Sequence, residues 1–261
     1  MINGYCDPRF LNLKEIFSHA VESQFEVGAA LAVEHEGELV VNLWGGHADA
    51  LRTSSWQEDT LVNVWSVTKG VTATCIAKLI NDGLIDPQEK VSTYWPEYGC
   101  NGKEDTKVSD FLCHRAGMFG FQEGVPDGSW RDWKKFTDRL QNQAPIREPG
   151  SSQGYHAMTY GWLVGELIRR VDGRSTGKYF QEEIAIPLGI DFHIGLQDSD
   201  FKRCADMIMI GTNPGSLMPP INFIRYIPNI LIPKKLKNFK SAIEGGDFLM
   251  AFQGRDDMGI D

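Results

Sequence analysis

The sequence has no Cys-x-x-Cys pair. Its five cysteines, Cys6, Cys75, Cys100, Cys113 and Cys204, are an odd number at irregular intervals. That spacing offers neither a zinc module nor a disulfide framework, so no metal or other cofactor is expected. Positive charge is scarce as well, with 26 Lys and Arg against 35 Asp and Glu and a formal net charge of −9. Such a surface disfavours nucleic acid and anionic lipid as partners and leaves a small molecule as the expected one. No basic segment followed by an apolar core opens the chain, so no secretory leader is expected. Together with the cysteine usage this points to a reducing, cytoplasmic setting. The most apolar tract, Leu217 to Pro233, is broken by Pro219, Pro220, Arg225 and Pro228. It falls short of the roughly 18–20 clean apolar residues of a membrane span and is expected to be a loop and short helix packed on the body. Internal repeats and low-complexity stretches are missing. Two Gly-x-Ser-x-Gly strings occur, at 150–154 and 173–177, but neither follows a strand-like run, which leaves a Ser-His-Asp hydrolase built on His47, His114 or His156 without the strand-to-helix elbow it needs.

What is present is ordinary for a globular chain: 42% hydrophobic and 23% charged residues over 261 positions. That length is enough for one large domain or two small ones. Residues Leu11 to Phe25 carry Leu13, Ile16, Phe17, Ala20 and Val21 at helical spacing. Two strand-like runs follow, Val27 to Glu34 and Glu38 to Trp44, with the turn His35-Glu36-Gly37 between them, and predict an antiparallel hairpin. The first run is almost wholly apolar, as in a strand covered on both faces. From Asp86 onward prolines and glycines punctuate short helical stretches: Val108 to His114, Ser129 to Gln141, Gly161 to Val171 and Tyr179 to Ile186. The expected organisation is an N-terminal part, residues 1–84, with helix, hairpin and a further helix, followed by a mainly helical part, residues 85–261. The fold class is α+β.

Between these parts lies Asn63-Val64-Trp65-Ser66-Val67-Thr68-Lys69-Gly70. Apolar residues at Val67, Val71, Cys75, Leu79 and Ile80 predict a helix stopped at Gly83. Ser66 and Lys69 then stand one turn apart on one face. A serine hydroxyl needs a base beside it to act as a nucleophile, and a lysine can supply one. A helix start adds unpaired N–H groups that favour an oxyanion. The spacing by itself is weak, since a chain of this length holds about one Ser-x-x-Lys by chance. Two others occur here, Ser175 to Lys178 and Ser199 to Lys202, and both serines read as helix N-caps. The same reading is open for Ser66.

Further on, Pro149-Gly150 precedes Tyr155-His156-Ala157 and a helix. A tyrosine at such a junction can aim its phenol into a cleft and relay a proton. It can equally pack its ring and bond its hydroxyl to backbone. The order of hairpin, Ser-x-x-Lys helix, Phe111-Leu112-Cys113-His114-Arg115-Ala116-Gly117, Pro149-Gly150 with Tyr155, and the helix ending Val171-Asp172-Gly173 resembles the serine β-lactamase and penicillin-binding-protein superfamily. The likeness is greatest to class C β-lactamase-like esterases and the β-lactamase-domain proteins of animal cells, and runs from Gly28 to Ile194. It implies a β-lactamase/transpeptidase-like fold, an antiparallel sheet flanked by helices plus a helical domain. It also implies a serine hydrolase working through an acyl-enzyme, with Ser66 as nucleophile, Lys69 taking its proton or holding it in place, Tyr155 as general acid or base, and the Ser66 N–H as one oxyanion donor. His114 falls in a segment that shapes the loop before the cleft.

Two departures from the family pattern bear on substrate. Ala157 stands where β-lactam-hydrolysing members carry an asparagine that helps bind the acylamide, which favours short-chain esters as substrates. The family's third motif, on a late strand, is not visible, Glu244-Gly245-Gly246 being the nearest string. The resemblance places late strands beside the hairpin, so the chain is expected to be C-terminally truncated, weak or inactive as a catalyst, and prone to associate through an open sheet edge. The alternative is a catalytically inactive scaffold or binding protein of the same fold.

Overall fold

The structure is a computed structural model and describes residues 2–23, 25–122 and 132–208. It divides into two compact units, one of residues 2–63 with 196–208 and one of residues 64–195.

In the first unit, Glu36 at φ 53° and Gly37 at φ 81° form a two-residue turn. Both central residues are left-handed, the turn whose twist matches a hairpin. The sheet comprises β1 (Ile2–Cys6), β2 (Gly28–His35) and β3 (Glu38–Gly46), antiparallel in the order β1-β3-β2. The hairpin register runs from His35↔Glu38 to Gly28↔Gly46, with an irregularity between Val33 and Glu34. β1 goes beyond the sequence expectation, because Asn3-Gly4 reads as a turn signal. Gly4 belongs to the strand for another reason. At φ 99° it lies so close to β3 that a Cβ would fall 1.9 Å from the Asn42 carbonyl oxygen, a close backbone approach that only glycine permits.

Helix α1 (Leu11–Glu22) lays Phe17 against Val40, Val41 and Leu43 of β3, with Ile2, Leu13, Val21, Leu31 and Val33 around them. The expectation of a first strand covered on both faces does not hold among the described residues. Ala30 and Ala32 are exposed, while Ala29, Leu31 and Val33 turn toward the core. The alternation of an edge strand wins over the apolar composition, because alanine adds little apolar area to either face. Residues 47–63 return through a bridge between His47 and Ser55. They then meet the later segment, where the Leu61 N–H donates to the Arg203 carbonyl at 2.9 Å and the Ala205 N–H to the Leu61 carbonyl at 2.7 Å. A 3₁₀ turn spans Asp198–Arg203 and starts from Gln197. Ser199 therefore sits inside the turn, and its expected capping role passes to Gln197. The expected late strands, the tract Leu217 to Pro233 and Glu244-Gly245-Gly246 all lie outside the described residues.

The second unit is helical: α2 (Val67–Asn81), α3 (Val91–Tyr94), α4 (Val108–Leu112), α5 (Trp133–Asn142), α6 (Thr159–Asp172) and α7 (Thr176–Phe180). Residues 129–131 of the helix expected from Ser129 to Gln141 lie outside the described set. Helix α6 buries Leu163, Val164, Leu167 and Ile168 against Cys75, Ile76 and Leu79 of α2, with Trp95, Tyr98, Phe111, Phe136 and Leu140 completing the cluster. Gly173, at φ 94°, ends α6 by donating its N–H to the Arg169 carbonyl, a left-handed cap that a Cβ would strain. Ser175 caps α7 as expected, accepting from the Lys178 N–H at 3.3 Å. The helix read from Tyr179 to Ile186 changes register into a π segment at Gln181–Ala185 before Ile186–Leu188.

Two buried charges pin this unit. Glu166 takes hydrogen bonds from Trp133 Nε1 at 2.7 Å, Arg169 Nε and Nη2 at 2.8 and 2.7 Å, and Arg170 Nε at 2.8 Å. Burial pushes its carboxyl up, but the bonds from Arg169, Trp133 and Arg170 hold it below the usual carboxylate value. Lys103 is 1% exposed and donates its ammonium to the Cys100 and Gln143 carbonyls at 2.9 and 2.6 Å, with the Tyr98 ring 5.2 Å away. It ties the turn at 100–103 to the end of α5. Among the described residues, no helix is long and apolar enough to cross a membrane.

Candidate active site

Ser66 is the residue from which α2 starts, at φ −72° and ψ −5°. The turn before it is already helix-like, since the N–H groups of Val67, Thr68 and Lys69 bond to the carbonyls of Val64, Trp65 and Ser66. The Ser66 side chain makes no capping bond, which sets aside the N-cap reading that suits Ser175. Its hydroxyl instead accepts from Lys69 Nζ at 3.1 Å. The Ser66 N–H itself makes no hydrogen bond among the described residues, so it is free to point at an oxyanion. Trp65, immediately before, is held at φ 50°, a left-handed conformation that costs a bulky residue energy and collects at functional sites.

Tyr155 approaches from the loop before α6. The Lys69 ammonium lies 5.1 Å from the centre of its ring. Lys69 thus contacts both other candidates: Ser66 through a hydrogen bond and Tyr155 through its ring face, a favourable place for a cation. Ser66 and Tyr155 are exposed and Lys69 is half-buried, which leaves the group open to a solute. Ala157, two residues on, presents only a methyl. A separate recess of about 540 Å³, lined by Phe121, Gln122, Lys135, Asp138, Arg139, Asn142, Gln143 and Ala144, contains none of these residues.

Under Tyr155 lies a second constellation, built on the His114 that the resemblance placed in a loop-shaping segment and on His156. The His114 ring stands 4.8 Å from Tyr155, 5.0 Å from Tyr160 and 5.4 Å from His156. The His156 N–H donates to His114 Nδ1 at 3.1 Å, and the Met118 N–H to His156 Nε2 at 3.1 Å. Both imidazoles are therefore neutral acceptors at those nitrogens. Burial, then the charge of Lys69, pushes the His114 imidazole below its ordinary value. Burial, with His114 beside it, pushes His156 down to about 4. Forty-two positions separate the two histidines, and no local pattern signals their stacking. The resemblance raised His114 alone; its contact with His156 follows from the fold.

A family model described as Beta-lactamase matches residues 13–233. The chain belongs to the β-lactamase family. Among its β-lactamase-family relatives, the esterase/β-lactamase LipL of Mycobacterium tuberculosis is 39% identical over 208 residues, covering 79% of this chain and 48% of the relative. The crystal structure of a family VIII carboxylesterase superposes with a TM-score of 0.76 at 42% identity, covering 80% of this chain and 57% of that one. A penicillin-binding-protein homologue from Caulobacter crescentus gives 0.78 at 39% identity, covering 87% and 62%. The β-lactamase/transpeptidase-like fold follows: helices combined with an antiparallel sheet. The chain spans about half the length of the curated relatives it matches.

Proposed function

We propose that this β-lactamase-family chain carries the acylation site of a serine hydrolase that acts on short-chain carboxylic esters. The observation that carries this is the 3.1 Å contact between Lys69 Nζ and Ser66 Oγ at a helix start, with the Tyr155 ring against the same ammonium. In the first step Lys69, having given up a proton to become the free amine, takes the Ser66 hydroxyl proton as Oγ attacks the ester carbonyl carbon. The Ser66 N–H donates to the oxyanion. As the carbonyl reforms, the C–O bond to the alcohol breaks, and Tyr155 delivers a proton to the leaving oxygen. Water then attacks the acyl-enzyme, with the same groups moving the proton the other way, and releases the acid.

Relatives named as esterase and carboxylesterase support the ester reading. So does Ala157, whose methyl offers no hydrogen bond to a β-lactam's acylamide side chain.

A tagged fluorophosphonate, with mass spectrometry to place the adduct, tests the site. Ser66 should be labelled in the wild type. Ser66→Ala should abolish the adduct, and Lys69→Ala should lower the labelling rate at Ser66 by on the order of a thousandfold, because the two groups serve one step. Undiminished labelling in Ser66→Ala would overturn the assignment. For substrate, p-nitrophenyl acetate and butyrate should acylate faster than nitrocefin, and the reverse order would overturn the ester preference.

A further inference from the structure

We propose that His114 is a positioning residue for Tyr155, and that its neutral imidazole holds the tyrosine loop in the arrangement acylation needs. The catalytic meaning of this rests on the serine-hydrolase reading, but the structural claim does not. His114 grips the chain on both sides of Tyr155. Its carbonyl accepts the Gly154 N–H at 2.9 Å, and its Nδ1 accepts the His156 N–H at 3.1 Å. Its ring lies against the Tyr155 ring.

The grip is anchored below. The Met118 N–H bonds to His156 Nε2, and the Met118 carbonyl accepts Thr159 Oγ1 at 2.6 Å. The Ile146 N–H bonds to the Gly117 carbonyl, and the Gly150 N–H to the Arg115 carbonyl. The loops at 113–118 and 146–159 are thus laced together, and Tyr155 sits between the two rungs that His114 provides. Gly154 allows the approach, since a Cβ there would fall 2.6 Å from the Phe119 ring. The arrangement also explains why His114 keeps a left-handed backbone at φ 58°. That conformation lets one residue present both its carbonyl and its ring nitrogen to the same loop.

The grip depends on charge state. A proton on Nδ1 would turn the acceptor into a donor facing the His156 N–H. The surroundings oppose that proton: burial, then the charge of Lys69 on α2, disfavour it, and Tyr155, His156, Tyr160 of α6 and the neighbouring Cys113 bring no carboxylate to favour it. The grip is therefore intact at neutral pH and is lost as pH falls through the depressed value of His114.

The test uses the full chain with two variants. His114→Phe keeps an aromatic ring and removes the acceptor. His114→Asn keeps an acceptor and tolerates a left-handed backbone. Hydrogen exchange at the His156 amide, read by NMR, should quicken by about tenfold or more in His114→Phe and stay within about threefold of wild type in His114→Asn. The rate constant for Ser66 labelling at saturating probe should fall by about ten- to a hundredfold in the Phe variant, with probe affinity little changed, and recover in the Asn variant. If the Phe variant does not fold, the wild type decides: the His156 amide must lose protection in step with titration of the His114 ring. An amide indifferent to His114 in either experiment overturns the proposal. A protected amide that tracks His114, in a chain whose Ser66 never labels, upholds the positioning role and overturns the hydrolase reading instead.

Discussion

Among the described residues, twenty-three buried apolar side chains from Cys75 to Ala185 form one cluster in the helical unit; in the sheet unit the cluster is Phe17, Val40, Val41 and Leu43. The helical unit surrounds each buried group with others on several elements, so a side chain there has little room to shift. The sheet unit has one well-covered strand, β3, and a flank, β2, whose alanines face outward. The three candidate catalytic residues all belong to the densely packed unit. A site that needs its groups held to within a fraction of an ångström gains from that background. The contrast teaches that, among the described residues, the hairpin, the clearest feature of the sequence, rests on the smaller core.

The sharpest way to break this comparison is to hollow out both cores alike. Leu163 and Leu43 are both almost fully buried. Leu163→Ala should destabilise toward the upper end of the range of about 2–5 kcal/mol, and Leu43→Ala toward the lower end, because its partly exposed neighbours can close into the space. Urea denaturation of the two variants checks this, and equal losses would show the sheet core to be as rigidly packed as the helical one.

A somewhat smaller effect separates the units by pH. His156 titrates at about 4 when folded and near 6.5 when unfolded. Between those values the unfolded chain binds more protons. The stabilisation is thus full above pH 6.5 and is lost as pH falls toward 4, by on the order of 3 kcal/mol. His156→Gln should flatten the stability profile in this window, with amide exchange in α6 as the readout. A wild-type profile that stays level from pH 6.5 to 4 would count against a buried neutral His156.

The smallest expected effect lies in the hairpin. Glu36 holds a left-handed φ that suits glycine or asparagine better. Glu36→Gly should stabilise the protein by about 0.5–1 kcal/mol, measured as a rise in the denaturation midpoint. A loss of stability would mean that the Glu36 side chain contributes more than its backbone strain costs.

Much of this architecture was legible because it rests on local rules. The turn at Glu36-Gly37, the apolar period of α2 and α6, and the stops at Gly83 and Gly173 each follow from residues within a few positions. So does the one-turn spacing that brings Lys69 to Ser66. What escaped depends on distant partners. Gly4 looks like a turn residue until the Asn42 carbonyl is placed against it. Ala30 and Ala32 look like core until no side chain is found over them among the described residues. The rotation of register at Gln181–Ala185 and the stacking of His114 on His156 are likewise tertiary outcomes. The sequence named Tyr155 and, through the resemblance, a loop-shaping role for His114, but nothing local tied the His114 ring to the residues on either side of Tyr155.

Lys103 gives the helical unit a property beyond stability. Its amine is shut away on two carbonyls, so reagents that modify surface lysines meet it only when the end of α5 lifts from the turn at 100–103. The chain thus carries a silent chemical clock, in which slow modification at one position counts the openings of the unit that holds the candidate site.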